Sequence, residues 1–282
     1  MIRALVLLWL ALVPQVVPAE EVFITVASTT STQNSGLFGS ILPQFTAETG
    51  IAVRVVAVGT GQAMRIARNG DADLLLVHHR ASEDEFVAEG YGIERRDVMY
   101  NDFILVGPPA DPANIRDAAN AAEALGRIAH SGQPFISRGD DSGTHLKERE
   151  LWAEAGIAPA GSWYLEAGAG MGTTLNLAVA KDAYVLTDRG TWITFGNKGG
   201  LVRLFSGDPA MFNPYGVVLL NPERFPHVKA DAARAFADWL VSDTGQAAIS
   251  AFRIDGFQAF CPNADAISET IRDRAACPVE TD

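Results

Sequence analysis

A chain of 282 residues that is 48% hydrophobic and 20% charged carries enough apolar material for two cores of roughly 100–150 residues each, which excludes a disordered or low-complexity protein. Its 34 acidic side chains against 22 basic ones leave a formal net charge of −12; that surface excludes nucleic acid and anionic membrane as partners, since both select a basic face. A small anion would also meet a repulsive long-range field, so short hydrogen bonds, which salt hardly screens, would have to hold it.

The chain opens "MIRALVLLWLALVPQVVPAEE". Arg3 is a positive start, Ala4 to Val13 is an apolar core too short to span a bilayer, and Val17-Pro18-Ala19 fits a cleavage site. Residues 1–19 are therefore expected to be a removed signal peptide, and the mature protein to be periplasmic. No cysteine follows the site, so no lipid anchor is expected there.

"VFITVAS" (22–28) is apolar and β-branched, a strand. Leu37, Ile41 and Phe45 then recur at i, i+4, i+8 and stop at Gly50, a helix with a C-terminal glycine. "IAVRVVAVG" (51–59) reads as a second strand, "QAMRIARNG" (62–70) as a short helix and "ADLLLVHH" (72–79) as a third strand. Such alternation makes βαβ units and a parallel sheet covered by helices. "NDFILVGP" (101–108) is a strand stopped by prolines, and "YGVVLLNP" (215–222) echoes it. Between them lies a helix-rich stretch with strands near "PFIS" (134–137) and "AYVLTD" (183–188); helical periodicity returns over 232–252. The two echoing strands look like crossings between two lobes. The expected architecture is α/β: lobe 1 from 20–107 and 215–282, lobe 2 from 108–214, with a ligand in the cleft between them. Cys261 and Cys277 are the only cysteines. In an oxidising compartment they are expected to pair, which would stabilise the fold by roughly 3 kcal/mol.

Four strand-to-helix turns stand out: "STTSTQNSG" after the first strand, "GTGQ" after the second, "RGDDSGTHLKERELW" after "PFIS", and "GAGMGTTLN" before the helix leading to "AYVLTD". Each is rich in glycine or hydroxyls and opens a helix. Helix N-termini present unpaired N–H groups and partial positive charge, and glycine lets an anion approach the backbone. Ordinary capping explains any one turn. Four of them, at strand ends that can face one cleft, point to anion binding. Arg138 is the one arginine inside these turns; a salt bridge to Asp140 or Asp141 is the competing role.

Catalysis is less well supported. "GDDSG" is similar to the GDSG of trypsin-like proteases, but Thr144 stands where a second glycine belongs, and His145, three residues past Ser142, comes without the context of a triad. Adjacent His78 and His79, with His130, His145 and His227, show no metal-binding spacing, and "GTGQAM" lacks a full nucleotide-binding pattern. No cofactor is expected.

The stretches "TTSTQNSGL", "AVGTGQAM", "GDADLLLVHHR", "VMYNDFILVGP", "FISRGDDSGTH", "WYLEAGAGMGTTLN" and "YVLTDRGTW" make the chain resemble the periplasmic tungstate-binding proteins of ABC importers, within the two-lobed type II substrate-binding fold. That family begins its first loop with three threonines before the serine; here Ser28-Thr29-Thr30-Ser31 keeps a hydroxyl at every position. The resemblance implies a tetrahedral oxyanion held by Thr30 and Ser31, Thr60, Arg138, Ser142, Gly143 and Thr144, and the backbone around Gly170 and Met171. It implies tungstate, with molybdate close in size and charge, delivered to a membrane permease by a monomer. A phosphate-type oxyanion stays open, because Asp140 or Asp141 could accept its proton. An exported serine hydrolase using Ser142 and His145 is the remaining alternative.

Overall fold

The computed structural model describes residues 22–264. The expected signal peptide and Cys277 lie outside the described residues. In chain order, β1 (Phe23–Thr29) leads into a short α1 (Thr30–Asn34) and α2 (Leu37–Thr49), β2 (Ala52–Val58) into α3 (Thr60–Arg68), and β3 (Leu74–Val77) into α4 (Arg80–Ala88). There follow β4 (Gly92–Gly107), α5 (Ala121–Ser131), β5 (Phe135–Ser137), α6 (Gly143–Glu154), β6 (Tyr164–Glu166), α7 (Met171–Lys181), β7 (Tyr184–Asp188) and α8 (Arg189–Thr194). The rest comprises β8 (Val202–Phe205), β9 (Phe212–Leu220), α9 (Ala230–Val241), α10 (Asp243–Ala251) and the short strands β10 (Arg253–Ile254), β11 (Phe257–Gln258) and β12 (Cys261–Pro262).

The main sheet runs β2-β1-β3-β9-β4-β7-β5-β6, with β8 and β12 also paired to β4. At either end lies a parallel triplet: β1 pairs with β2 and β3, and β5 with β6 and β7. Antiparallel β9 and β4 stand between them. Helices flank the sheet, the α/β class expected from the alternation of strands and helices. β3 reads Leu-Leu-Leu-Val with all four residues buried, the continuous apolar run of a strand covered on both faces.

Period-2 alternation sorts side chains between layers. From β1, Ile24 and Val26 enter a core with Leu37, Ile41 and Phe45 of α2 and Phe236 of α9, while Ala27 enters the opposite one with Met64 and Phe86. Farther along, Phe103 and Leu105 of β4 pack with Phe135, Trp152 and Tyr184, and Ile104 and Val106 with Ile136, Leu175 and Val185. α2 ends as predicted: Gly50 takes the left-handed φ of 72° and donates its N–H to Thr46 O at 2.8 Å.

Two readings of the sequence are corrected. β4 begins at Gly92 rather than Asn101. Its first half is studded with charge, which hides it from a hydrophobic pattern; Arg95 is neutralised by Glu83 at 2.7 Å and Asp97 at 2.8 Å, and Arg96 by Asp238 at 2.6 Å. The helical run 232–252 is two helices. Ser242 breaks it by donating to Trp239 O at 2.7 Å and capping α10 through Gly245 N–H at 3.2 Å. Cys261 is buried on β12, paired with Tyr100 of β4.

Candidate functional site

Each of the four turns lies at the carboxyl end of a strand. After β1, Thr29 caps α1: its hydroxyl accepts from Thr32 N–H at 3.3 Å and meets Ser31 Oγ at 3.0 Å and Thr32 Oγ1 at 2.8 Å. Thr30 and Ser31 follow, half-buried, as the first residues of α1. After β2, Gly59 leaves α3 with no side-chain cap, so the N–H groups of its first turn are not occupied by a capping oxygen. Before α7, Gly170 does the same.

The turn after β5 is the most ordered by its own bonds. Ser142 caps α6, its hydroxyl accepting from His145 N–H at 3.3 Å. Arg138 is only 4% exposed. It donates to Asp140 Oδ2 through Nε at 3.2 Å and also through Nη2. Asp140 Oδ1 in turn accepts Ser142 N–H at 3.2 Å. Burial alone would raise the Asp140 carboxyl, but donation from Arg138 and Ser142 outweighs it and holds the group below its usual range. The salt bridge weighed for Arg138 is present: Asp140 steadies one edge of the guanidinium, and Nη1 has no bond to a protein group among the described residues.

Thr30, Ser31, Arg138, Gly170 and Met171 line one cavity of about 440 Å³, together with residues of the α8 end such as Thr191. The other four predicted residues form a buried seam beside it. Gly143 N–H donates to Thr60 Oγ1 at 3.0 Å, joining turns 83 positions apart in the chain. Ser142, Thr144 and Thr60 are buried there. All nine predicted residues thus converge on one region.

Two residues that the turn pattern did not single out also belong to it. His78, at the end of β3, reaches Ser31 Oγ with Nε2 at 3.3 Å and Asn213 Oδ1 with Nδ1 at 3.0 Å, and stacks on Tyr215 at 4.8 Å. A Cβ on Gly143 would stand 3.0 Å from His78 Cε1, so the imidazole sits between the first and third turns. Burial lowers its pKa; Asp188 and the bond to Asn213 work against that, while His79 and Arg138 add to it. Asp188, at the end of β7, is buried and caps α8, accepting from Thr191 N–H at 2.9 Å and Thr191 Oγ1 at 2.5 Å. The available signal was positional: "LLLVHH" and "YVLTD" end strands of the same sheet, and strand ends in such sheets share one crevice.

Ser142 and His145 are each engaged by backbone groups of their own turn. Ser142 Oγ accepts the cap bond from His145 N–H, and His145 Nδ1 accepts Asp141 N–H at 3.1 Å. Among the described residues no hydrogen bond joins the hydroxyl to the imidazole, as nucleophilic activation would require.

The PBP superfamily domain model matches residues 17–244. The tungstate-binding protein TupA of Peptoclostridium acidaminophilum is 47% identical over 245 residues, covering 86% of each chain. The crystal structure of the tungstate ABC transporter from Geobacter sulfurreducens matches with a TM-score of 0.76 and 51% identity, over 82% of this chain and 98% of that one. The tungstate-binding protein TupA from Desulfovibrio alaskensis G20 matches with a TM-score of 0.76 and 43% identity, over 86% of this chain and all of its own. With a family match along most of its length and relatives near half identical over almost all of it, the chain belongs to the PBP superfamily, in the family of the tungstate-binding TupA proteins.

Proposed function

We propose that this chain captures tungstate, with molybdate as a close competitor, and delivers it to the membrane permease of an ABC importer. The observation that carries the reading is the convergence of donors: the uncapped helix start at Gly170, the hydroxyls of Thr30 and Ser31, and Arg138 line one cavity, and the uncapped start at Gly59 with Thr60 lies in the seam beside it. Tungstate is a fully deprotonated dianion near neutral pH and wants donors only. The acceptor capacity of Asp140 is already engaged by Arg138 and Ser142, which favours such an anion over hydrogen phosphate at that turn. On this reading the chain is two lobes, 20–107 with 215–282 and 108–214, crossed by β4 and β9. It is a periplasmic monomer released from its signal peptide, with Cys261 bridged to Cys277, and it breaks no covalent bond.

Calorimetric titration and thermal melting with tungstate test the assignment. One anion should bind per chain, and at 100 times its dissociation constant it should stabilise the fold by about 2.7 kcal/mol. Sulfate is a smaller dianion; leaving two buried donors unmatched should weaken it by on the order of 10² to 10⁴ fold. A clear isotherm with phosphate and none with tungstate would reassign the ligand.

The seam makes a second expectation. A methyl group on Gly143 would stand 2.9 Å from Thr60 Oγ1 and 3.0 Å from His78 Cε1. Overpacking of that kind costs about 1–3 kcal/mol. Here it falls on the seam that joins two turns of the site, so Gly143→Ala should weaken tungstate binding by about 5- to 150-fold. Unaltered affinity would mean that the anion does not need the seam closed.

A further inference from the structure

We infer that His78 is a proton-coupled anion group: it is neutral in the empty cleft and takes up one proton from solvent at Nε2 when the dianion is captured. The inference rests on the oxyanion reading above.

The hydrogen-bond network assigns the imidazole's protons. Asn213 Nδ2 donates to Asn101 Oδ1 at 2.6 Å, which leaves Asn213 Oδ1 as the acceptor facing His78 Nδ1 at 3.0 Å. Nδ1 therefore carries a hydrogen, and in the neutral ring Nε2 holds a lone pair. That lone pair accepts from Ser31 Oγ, 3.3 Å away. Ser31 has one hydroxyl proton. If it turns to an oxyanion in the cleft, Nε2 is left with its lone pair towards buried negative charge. A proton on Nε2 converts that repulsion into a charged donor, which restores the bond to Ser31 or points at the anion itself.

Charge in the site argues the same way. Arg138 is matched by Asp140, and Asp188 is a further buried carboxylate close enough to act on His78. The fixed groups thus offer the dianion no net positive charge. The charged and titratable groups facing His78 are Asp188 at the β7 end, Arg138 after β5 and His79 beside it; Ser31, Gly143, Asn213, Tyr215 and Phe103 complete its surroundings with neutral contacts. Burial, Arg138 and His79 keep the empty-state ring neutral, and Asp188 pulls the other way. Two negative charges arriving within contact distance favour the protonated ring.

The test is calorimetry of the mature protein with sodium tungstate, in buffers of low and high ionisation enthalpy. The slope of observed enthalpy against buffer enthalpy should give net uptake of up to one proton per anion, and the dissociation constant should rise, by up to about tenfold per pH unit, as pH climbs above the lowered range in which the empty ring is protonated. His78→Gln supplies a non-titrating N–H near Nε2; it should still bind tungstate, with no uptake and a flat pH profile. Tungstate binding to the wild type without uptake would overturn the inference, as would uptake that persists in His78→Gln. Absence of any tungstate isotherm would sink the ligand assignment, and this inference with it.

Discussion

Arg138→Ala should lose on the order of 10²-fold or more in tungstate affinity while the empty protein still folds. Charged hydrogen bonds contribute about 1.5–3 kcal/mol against about 0.5–1.5 for neutral ones, so Arg138 should outweigh any single hydroxyl of the site. The structure adds a second loss. Asp140 now takes its charge balance from Arg138 through Nε and Nη2, and without that partner its carboxylate would face the dianion uncompensated. The double variant Arg138→Ala, Asp140→Asn should therefore bind more tightly than Arg138→Ala alone. Arg138→Lys should fall between wild type and Arg138→Ala, keeping the charge but losing the planar fork. Titration of the four proteins decides it. Affinity of Arg138→Ala within about threefold of wild type, under roughly 0.7 kcal/mol, would leave Arg138 as a structural partner of Asp140 only.

The largest expected effect on stability comes from Glu148 on α6, behind the same turn. It is 1% exposed. Its Oε1 accepts from Trp152 Nε1 at 3.2 Å and Tyr164 OH at 2.7 Å, both neutral donors. Burial pushes its pKa up to about 7, the hydrogen bonds opposing only part of the rise. The folded protein therefore holds a proton that the unfolded chain releases above its ordinary pKa of about 4.5. The stability this group contributes is complete below that ordinary value, declines as pH rises and is lost as pH passes about 7. A gap of that size corresponds to on the order of 3 kcal/mol. Glu148→Gln mimics the protonated acid. Relative to wild type it should be nearly neutral at about pH 4.5 and stabilising by on the order of 3 kcal/mol at about pH 8, read as a double difference from urea denaturation. An equal difference at both pH values would show that folding does not raise the Glu148 pKa.

What the sequence disclosed follows from the range of the interactions involved. α2 was legible because Leu37, Ile41 and Phe45 obey a helical period and Gly50 marks the end. The four turns were legible because glycines and hydroxyls cluster locally at strand ends. The first half of β4 was not, since Arg95 is made tolerable by Glu83, which lies on another element. The break at Ser242 was hidden because apolar periodicity continues on both sides of it. His78 and Asp188 escaped for a similar reason. Nothing beside His78 in the chain reveals that Asn213, 135 positions later, orients its ring, and a histidine pair after an apolar strand carries no local signature of a ligand site.

On the proposed reading, the bond from Gly143 N–H to Thr60 Oγ1 would make one hydroxyl a coincidence detector. With a lone pair taken from across the seam, Thr60 has its own hydrogen left to give to a captured anion. On that reading both contacts would be satisfied together only with the cleft shut and occupied. By reciprocity, whatever the anion gains from closure, closure gains from the anion. A permease resting on the outside of both lobes would then read cargo as the spacing of its two footholds, without touching the tungstate.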